Sequence, residues 1–217
     1  MTGLILECHN NRIALIKGLN LNSKFDRKNN TRNMILETAE TLFKKYGIES
    51  SGIKKIMNEI GLTVGGFYSH FKSKDDLIKN SLNRSLNSIM RELLDHASHY
   101  EGKEKIIKIL DIYLGVEHKN NIERGCPVAA MASDISRCNE EIKKEVVLYL
   151  DNFFEEIKTD VEKLSLGERK ITREDFYVYM SMSLGAVMMA RICQDEVLSN
   201  NILASTKKKI LQDLKMV

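Results

Sequence analysis

Apolar residues first fall into helical register at Ile35, Ala39, Leu42, Phe43 and Tyr46, three and four positions apart, and Gly47 follows as a stop. The spacing predicts a helix of about sixteen residues from Asn30. Residues 1–28 show no clear period and carry Asn10-Asn11 and Asn20-Leu21-Asn22, so they read as a flexible leader. Ser50 and Ser51 offer an N-cap to a short second helix with Ile53, Ile56, Met57 and Ile60 on its apolar face, and Gly61 ends it. Further on, Ser73-Lys74-Asp75-Asp76 forms a capping box in front of Leu77, Ile78, Leu82, Leu86, Ile89, Leu93 and Leu94. A long helix is expected from Lys74 to about His96.

Between these elements stands Thr63-Val-Gly-Gly-Phe-Tyr-Ser-His-Phe71. A Gly-Gly pair between β-branched and aromatic residues is a favoured hairpin turn. A lone hairpin among helices would have no sheet to join, and Val64, Phe67, Tyr68 and Phe71 fall at helical spacing behind a capping Thr63. The helix reading therefore holds, even though each glycine costs about 1 kcal/mol relative to alanine.

Further segments are amphipathic at helical period. One runs from Lys103 to about Glu117; another begins at Pro127, behind the break at Gly125-Cys126. A third follows Asn139 and stops near Gly167; a fourth follows the capping box Thr172-Arg-Glu-Asp175 and runs to about Cys193; a fifth spans Ile202 to Leu214. The fold class expected is all-α: residues 29–76 as a helix-turn-helix head, and 77–217 as a helical regulatory and dimerisation body.

Composition agrees with this pattern. The chain has 217 residues, 43% of them hydrophobic, and one proline, which is enough to bury a sizeable core. Its net charge is only +3, but eleven basic and seven acidic residues lie between Lys24 and Lys79, a local excess of +4. Four scattered cysteines without a Cys-x-x-Cys pair, and no export signal or membrane-length apolar run, point to reduced thiols in a cytoplasm.

Two short helices joined at Gly61-Leu62 and braced by a longer one make a helix-turn-helix, whose second helix enters a DNA major groove. The segment Ile35 to Leu77, with its Ala-x-x-Leu-Phe-x-x-x-Gly, Gly-Leu-Thr, Gly-x-Phe-Tyr-x-His-Phe and Ser-Lys-Asp-x-Leu, resembles the DNA-binding domain of the TetR/AcrR family of transcriptional regulators. The resemblance implies phosphate contacts from Tyr68, His70 and Lys74. Ser51 and Lys54 are candidates for another phosphate at the start of the second helix. Base reading falls to Thr63, Val64, Gly65, Gly66 and Ser69, through methyl contact and close backbone approach. Phe67 and Phe71 are expected in the core. Lys24, Arg27, Lys28 and Arg32 read either as a solvated tail or as a basic arm in the minor groove.

The same resemblance implies a homodimer on a pseudo-palindromic operator, most simply a repressor released by a small molecule bound in the body. Tyr113, Cys126, Met131, Phe153 and Met182 are candidates to line that pocket, against the plainer reading of buried core. Cys126 beside Arg124 is also a candidate thiol sensor. A helical ligand-binding protein with a vestigial helix-turn-helix is the alternative from another class. His96 and His99 lack companion ligands, and there is no nucleophile motif, phosphate loop or cofactor fingerprint. Neither enzyme activity, metal nor cofactor is expected.

Overall fold

The computed structural model describes residues 24–164 and 171–215, and every regular element among them is an α-helix. The head comprises α1 (Lys24–Tyr46), α2 (Ile53–Glu59), α3 (Val64–Phe67) and the start of α4 (Lys74–His96). The body holds the rest of α4 with α5 (Gly102–Tyr113), α6 (Val116–Asn120), α7 (Pro127–Arg137), α8 (Glu140–Glu162), α9 (Arg173–Ile192) and α10 (Glu196–Asp213). No helix among the described residues is long and apolar enough to cross a membrane.

Local chemistry fixes most helix ends. Ser73 Oγ accepts from Asp76 N–H at 3.1 Å, Asn139 Oδ1 from Ile142 N–H at 3.1 Å, and Thr172 with Asp175 closes a reciprocal capping box. Gly61, at φ +70°, gives the left-handed turn that ends α2 and lets Leu62 N–H bond back to Met57 O at 2.9 Å.

Several expected boundaries move. The first helix starts at Lys24, so residues 24–28 of the expected leader are helical; residues 1–23 lie outside the described residues. The segment from Lys103 breaks after Tyr113, where Gly115 turns extended (φ −83°, ψ 154°) and caps the restart of the chain as α6. α8 ends at Glu162, short of the expected stop near Gly167, which lies outside the described residues. α10 begins at Glu196 rather than Ile202, capped by Asp195, whose Oδ1 accepts from Leu198 N–H at 2.8 Å. Its first turn had no inward apolar stripe to reveal it, since Val197 and Leu198 face out.

The head core consists of Ile35, Ala39 and Phe43 of α1, Ile56 and Met57 of α2, and Phe67 and Phe71, all nearly fully buried. α4 runs from this core into the body, where Leu86 and Leu93 meet the buried face of α8, with Ile142 and Phe153. Head and body also meet at α7. Lys44 Nζ donates to the carbonyls of Glu123 (2.8 Å) and Gly125 (3.3 Å), and Ile48 N–H donates to Asp134 Oδ2 at 2.9 Å.

Candidate nucleic-acid interface

The stretch expected to read DNA begins at Thr63, whose extended backbone leads into α3 and whose Oγ1 accepts from Gly66 N–H at 3.4 Å. α3 is one turn long, and Ser69 and His70 N–H continue it by bonding back to Gly66 and Phe67 carbonyls. Phe67 and Phe71 stack at 5.5 Å inside the head, as expected. Thr63, Val64, Gly65, Tyr68 and Ser69 are exposed, and Gly66, His70 and Lys74 half-buried. Tyr68, 62% exposed, stands edge-on to Phe67 at 5.2 Å.

The two glycines are not required by the folded chain. Neither has positive φ; a Cβ on Gly65 would meet only Thr63 Oγ1, at 4.0 Å, and one on Gly66 would make ordinary contacts at 3.7 and 3.9 Å. The chain therefore gives up helix propensity on an exposed turn where its own packing would accept side chains.

Ser51 departs from expectation. It is fully buried, and its Oγ donates to Leu42 O at 3.1 Å, so it neither caps α2 nor offers its hydroxyl outward. The N-cap is Gly52, which leaves the first turn of α2 without a side-chain partner. Lys54 is exposed on that turn, beside Lys55, which the sequence reading passed over and whose ammonium lies 4.0 Å above the Tyr46 ring. Adjacent lysines flanked by Ile53 and Ile56 were the available signal.

Arg32 is no arm. Its guanidinium sits 4.1 Å over the Phe71 ring, donates to His70 O and to Asn80 Oδ1 (2.9 Å), and so ties α1, the end of the recognition stretch and α4 together. His70 Nδ1 is buried without a partner; burial, then the Lys28 and Arg32 charges, hold the ring below the ordinary histidine range. Arg27 and Lys28 are exposed on the first turns of α1.

The five expected pocket residues do not share one space. Phe153 lines a cavity of about 70 Å³ with Ile109, Leu110, Ile157, Tyr179 and Met180. Met131 borders a separate void of about 10 Å³ against Phe43 and Lys44, because α7 kinks at that residue (φ −134°, ψ 18°) and faces the head. Met182 is half-buried and lines neither. Cys126, only 2% exposed, and Tyr113 gather instead around His118, so a reagent for the Cys126 thiol must first open the body. Among the described residues no three His, Cys, Asp or Glu side chains form a metal site.

His118 is held from both sides. Its Nδ1 donates to Tyr113 O at 2.6 Å and its Nε2 accepts from Cys126 N–H at 3.0 Å, which fixes a neutral tautomer. Burial, opposed by the bond to Tyr113 and aided by Arg191 and Lys44, pushes its pKa down to about 4. Between pH 4 and 6.5 the unfolded chain gains a proton that folded His118 refuses, so stability is full above 6.5 and drains by about 3 kcal/mol toward pH 4. Glu40 opposes this: burial, partly offset by Arg84 and Lys44, raises its carboxyl to about 7, and its contribution fades as pH rises from 4.5 to 7. Chemical denaturation across pH is expected to give a shallow wild-type profile and, for Glu40→Gln, a clear rise from pH 4 to 6.5. A flat profile in that variant would mean that His118 is protonated in the fold.

Comparisons with known proteins agree with this architecture. Residues 35–80 match the family model described as bacterial regulatory proteins, tetR family. An HTH-type transcriptional regulator of Staphylococcus aureus is 25% identical over 178 residues, 78% of this chain and 96% of that one. An HTH-type regulator of Bacillus subtilis, YfiR, is 30% identical over 86 residues, covering 40% of this chain and 42% of its own. Among solved structures, a TetR transcriptional regulator from Chloroflexus aurantiacus superposes with a TM-score of 0.73 at 23% identity, covering 87% of this chain and 96% of that one.

Proposed function

We propose that this chain, which belongs to the TetR family of bacterial transcriptional regulators, is a repressor that binds a pseudo-palindromic operator as a homodimer and leaves it when a small molecule enters the body. The observation that carries the reading is the exposed Gly65-Gly66 turn. Two glycines weaken α3 where the fold has room for side chains, which suits close approach of backbone N–H groups to a groove. Tyr68 and Lys74 flank that turn as phosphate donors, with Lys54 and Lys55 on α2. Ser51 drops out of the contact set because its hydroxyl is used inside the head.

The dimer face lies on the last two helices. Val178, Ser181, Gly185, Met189 and Ile192 recur every three or four residues on one side of α9. Val178, Met189 and Ile192 are 55%, 53% and 72% exposed, and a Cβ on Gly185 would meet nothing. Val197 and Leu198 of α10 extend the apolar surface. Such a stripe suits a second copy related by two-fold symmetry, which would set two α3 turns on successive major grooves. The head then comprises residues up to about 76, and the body the remainder.

The test is fluorescence anisotropy with a labelled fragment from upstream of the chain's own gene, titrated with salt. Affinity should fall steeply as salt rises, and Tyr68→Phe with Lys74→Gln should weaken binding about ten-fold and lower the salt slope by about one. An affinity indifferent to salt, or unchanged in the folded double variant, would remove this interface.

A further inference from the structure

Among the described residues, charged groups sunk into the body are matched, apart from one nitrogen of the half-buried Arg191. Lys119 meets Glu196 at 2.8 Å and Ser199 Oγ at 3.1 Å, and Asp160 meets Lys105 at 2.8 Å and Gly102 N–H at 2.8 Å. Arg191, on the last turn of α9, donates from Nε to Lys119 O (3.0 Å) and from Nη2 to His118 O (3.1 Å), but its Nη1 is buried and bonds to nothing. No carboxylate among the described residues lies within ion-pair distance of it. Two phenols share this condition: the Tyr149 hydroxyl is buried without a partner and the Tyr113 hydroxyl meets only the Cys126 thiol, on residues 5% and 4% exposed.

These groups converge from three helices. Tyr113 of α5, Cys126 and Arg191 of α9 all meet His118, through a ring contact at 4.6 Å and hydrogen bonds at 3.0 and 3.1 Å, and Tyr149 of α8 faces the same Cys126. Burial pushes both phenols upward, so they remain protonated donors. His118 cannot serve them, since both its nitrogens are occupied. Three buried donors without an oxygen or nitrogen acceptor in one place are costly to keep, and a water would answer their bonding but not the guanidinium charge.

The apolar cavity lies along the same helices. Ile109 and Leu110 precede Tyr113 by one turn, Phe153 follows Tyr149 by one turn with rings 6.0 Å apart, and Ser183 lies two turns before Arg191. About 12 Å of helix separates the cavity wall at Ser183 from Arg191. All three helices thus run from a dry pocket to the same cluster of donors.

We propose that this cluster is the head-group site of the effector, and that the effector is a small organic carboxylate. Its carboxylate takes the hydrogen bonds of Arg191 Nη1 and the Tyr113 and Tyr149 hydroxyls, and its apolar body extends into the cavity lined by Phe153. This rests on the reading of the chain as a ligand-responsive regulator. The site lies behind the Glu123–Cys126 loop that Lys44 holds from the head, and Gly125 there is so close-set that a Cβ would come within 3.0 Å of Arg191 Nη2 and of His118 Nε2. A ligand that draws Arg191 toward itself therefore pulls on the seam between body and head.

The experiment is isothermal titration calorimetry of the full chain with octanoate and decanoate, each against its neutral primary amide, with DNA release followed separately by anisotropy. At least one acid should bind, about ten-fold or more tighter than its amide. Tyr149→Phe and Tyr113→Phe should each lose about ten-fold in that affinity. Without ligand Tyr149→Phe should melt no lower than the wild type, because the deleted hydroxyl bonds to nothing. Arg191→Met should abolish binding, and if it fails to fold the tyrosine variants decide alone. Equal affinity for acid and amide, no binding by any acid, or full affinity in both tyrosine variants would overturn the site. So would a fall in melting temperature on removing the Tyr149 hydroxyl, which would mark a bond to resident water. Calorimetric binding without DNA release would leave the site standing and count against the regulatory reading.

Discussion

Phe67→Ala is expected to remove about 3–5 kcal/mol of stability and to abolish DNA binding together with it. The ring is fully buried, stacked on Phe71 and edge-on to Tyr68. α3 is four residues long, and two of them are glycines. A helix that short cannot hold itself, so its geometry is imposed by the one side chain that anchors it in the head core. Urea denaturation monitored by circular dichroism measures the loss. A cost below about 1 kcal/mol would mean that Thr63 and the backbone bonds alone secure the turn.

Gly65→Leu should do the reverse, separating stability from function. The position is exposed, its φ is ordinary for any residue, and the nearest atom to an added Cβ is 4.0 Å away. The variant should fold at least as stably as the wild type, gaining up to about 1 kcal/mol from helix propensity. Operator affinity should fall at least about ten-fold, because a side chain now stands where the backbone is proposed to approach the groove. Unchanged affinity in the melting-checked variant would show that α3 does not enter the groove by this turn.

What could be read from the sequence was written in neighbouring residues. Ser73, Asn139 and Thr172 cap helices through residues three positions on, and each of those helix starts was legible. The burial of Phe67 and Phe71 followed from spacing alone. What could not be read depends on distant partners. Ser51 looks like a cap until Leu42 O, nine residues back, is seen to accept its hydroxyl hydrogen bond. Arg32 looks like a free basic residue until His70 and Asn80, 38 and 48 residues on, are folded beneath it. The buried donors of Tyr113, Tyr149 and Arg191 come from three helices and carry no local signature. The expected pocket accordingly mixed Phe153, which lines the cavity, with Met131 and Met182, which do not.

The seam at Lys44 bears on how such a protein can be rebuilt. α4 starts in the head and ends in the body, and Lys44 reaches carbonyls 79 and 81 residues further along the chain. A graft that exchanges residues up to 76 for a head of different operator preference would cut through the first turn of α4 and strand those carbonyls. Such a graft keeps the seam between head and body only if the incoming α1 brings a lysine at the same place, or if residues 121–126 travel with it.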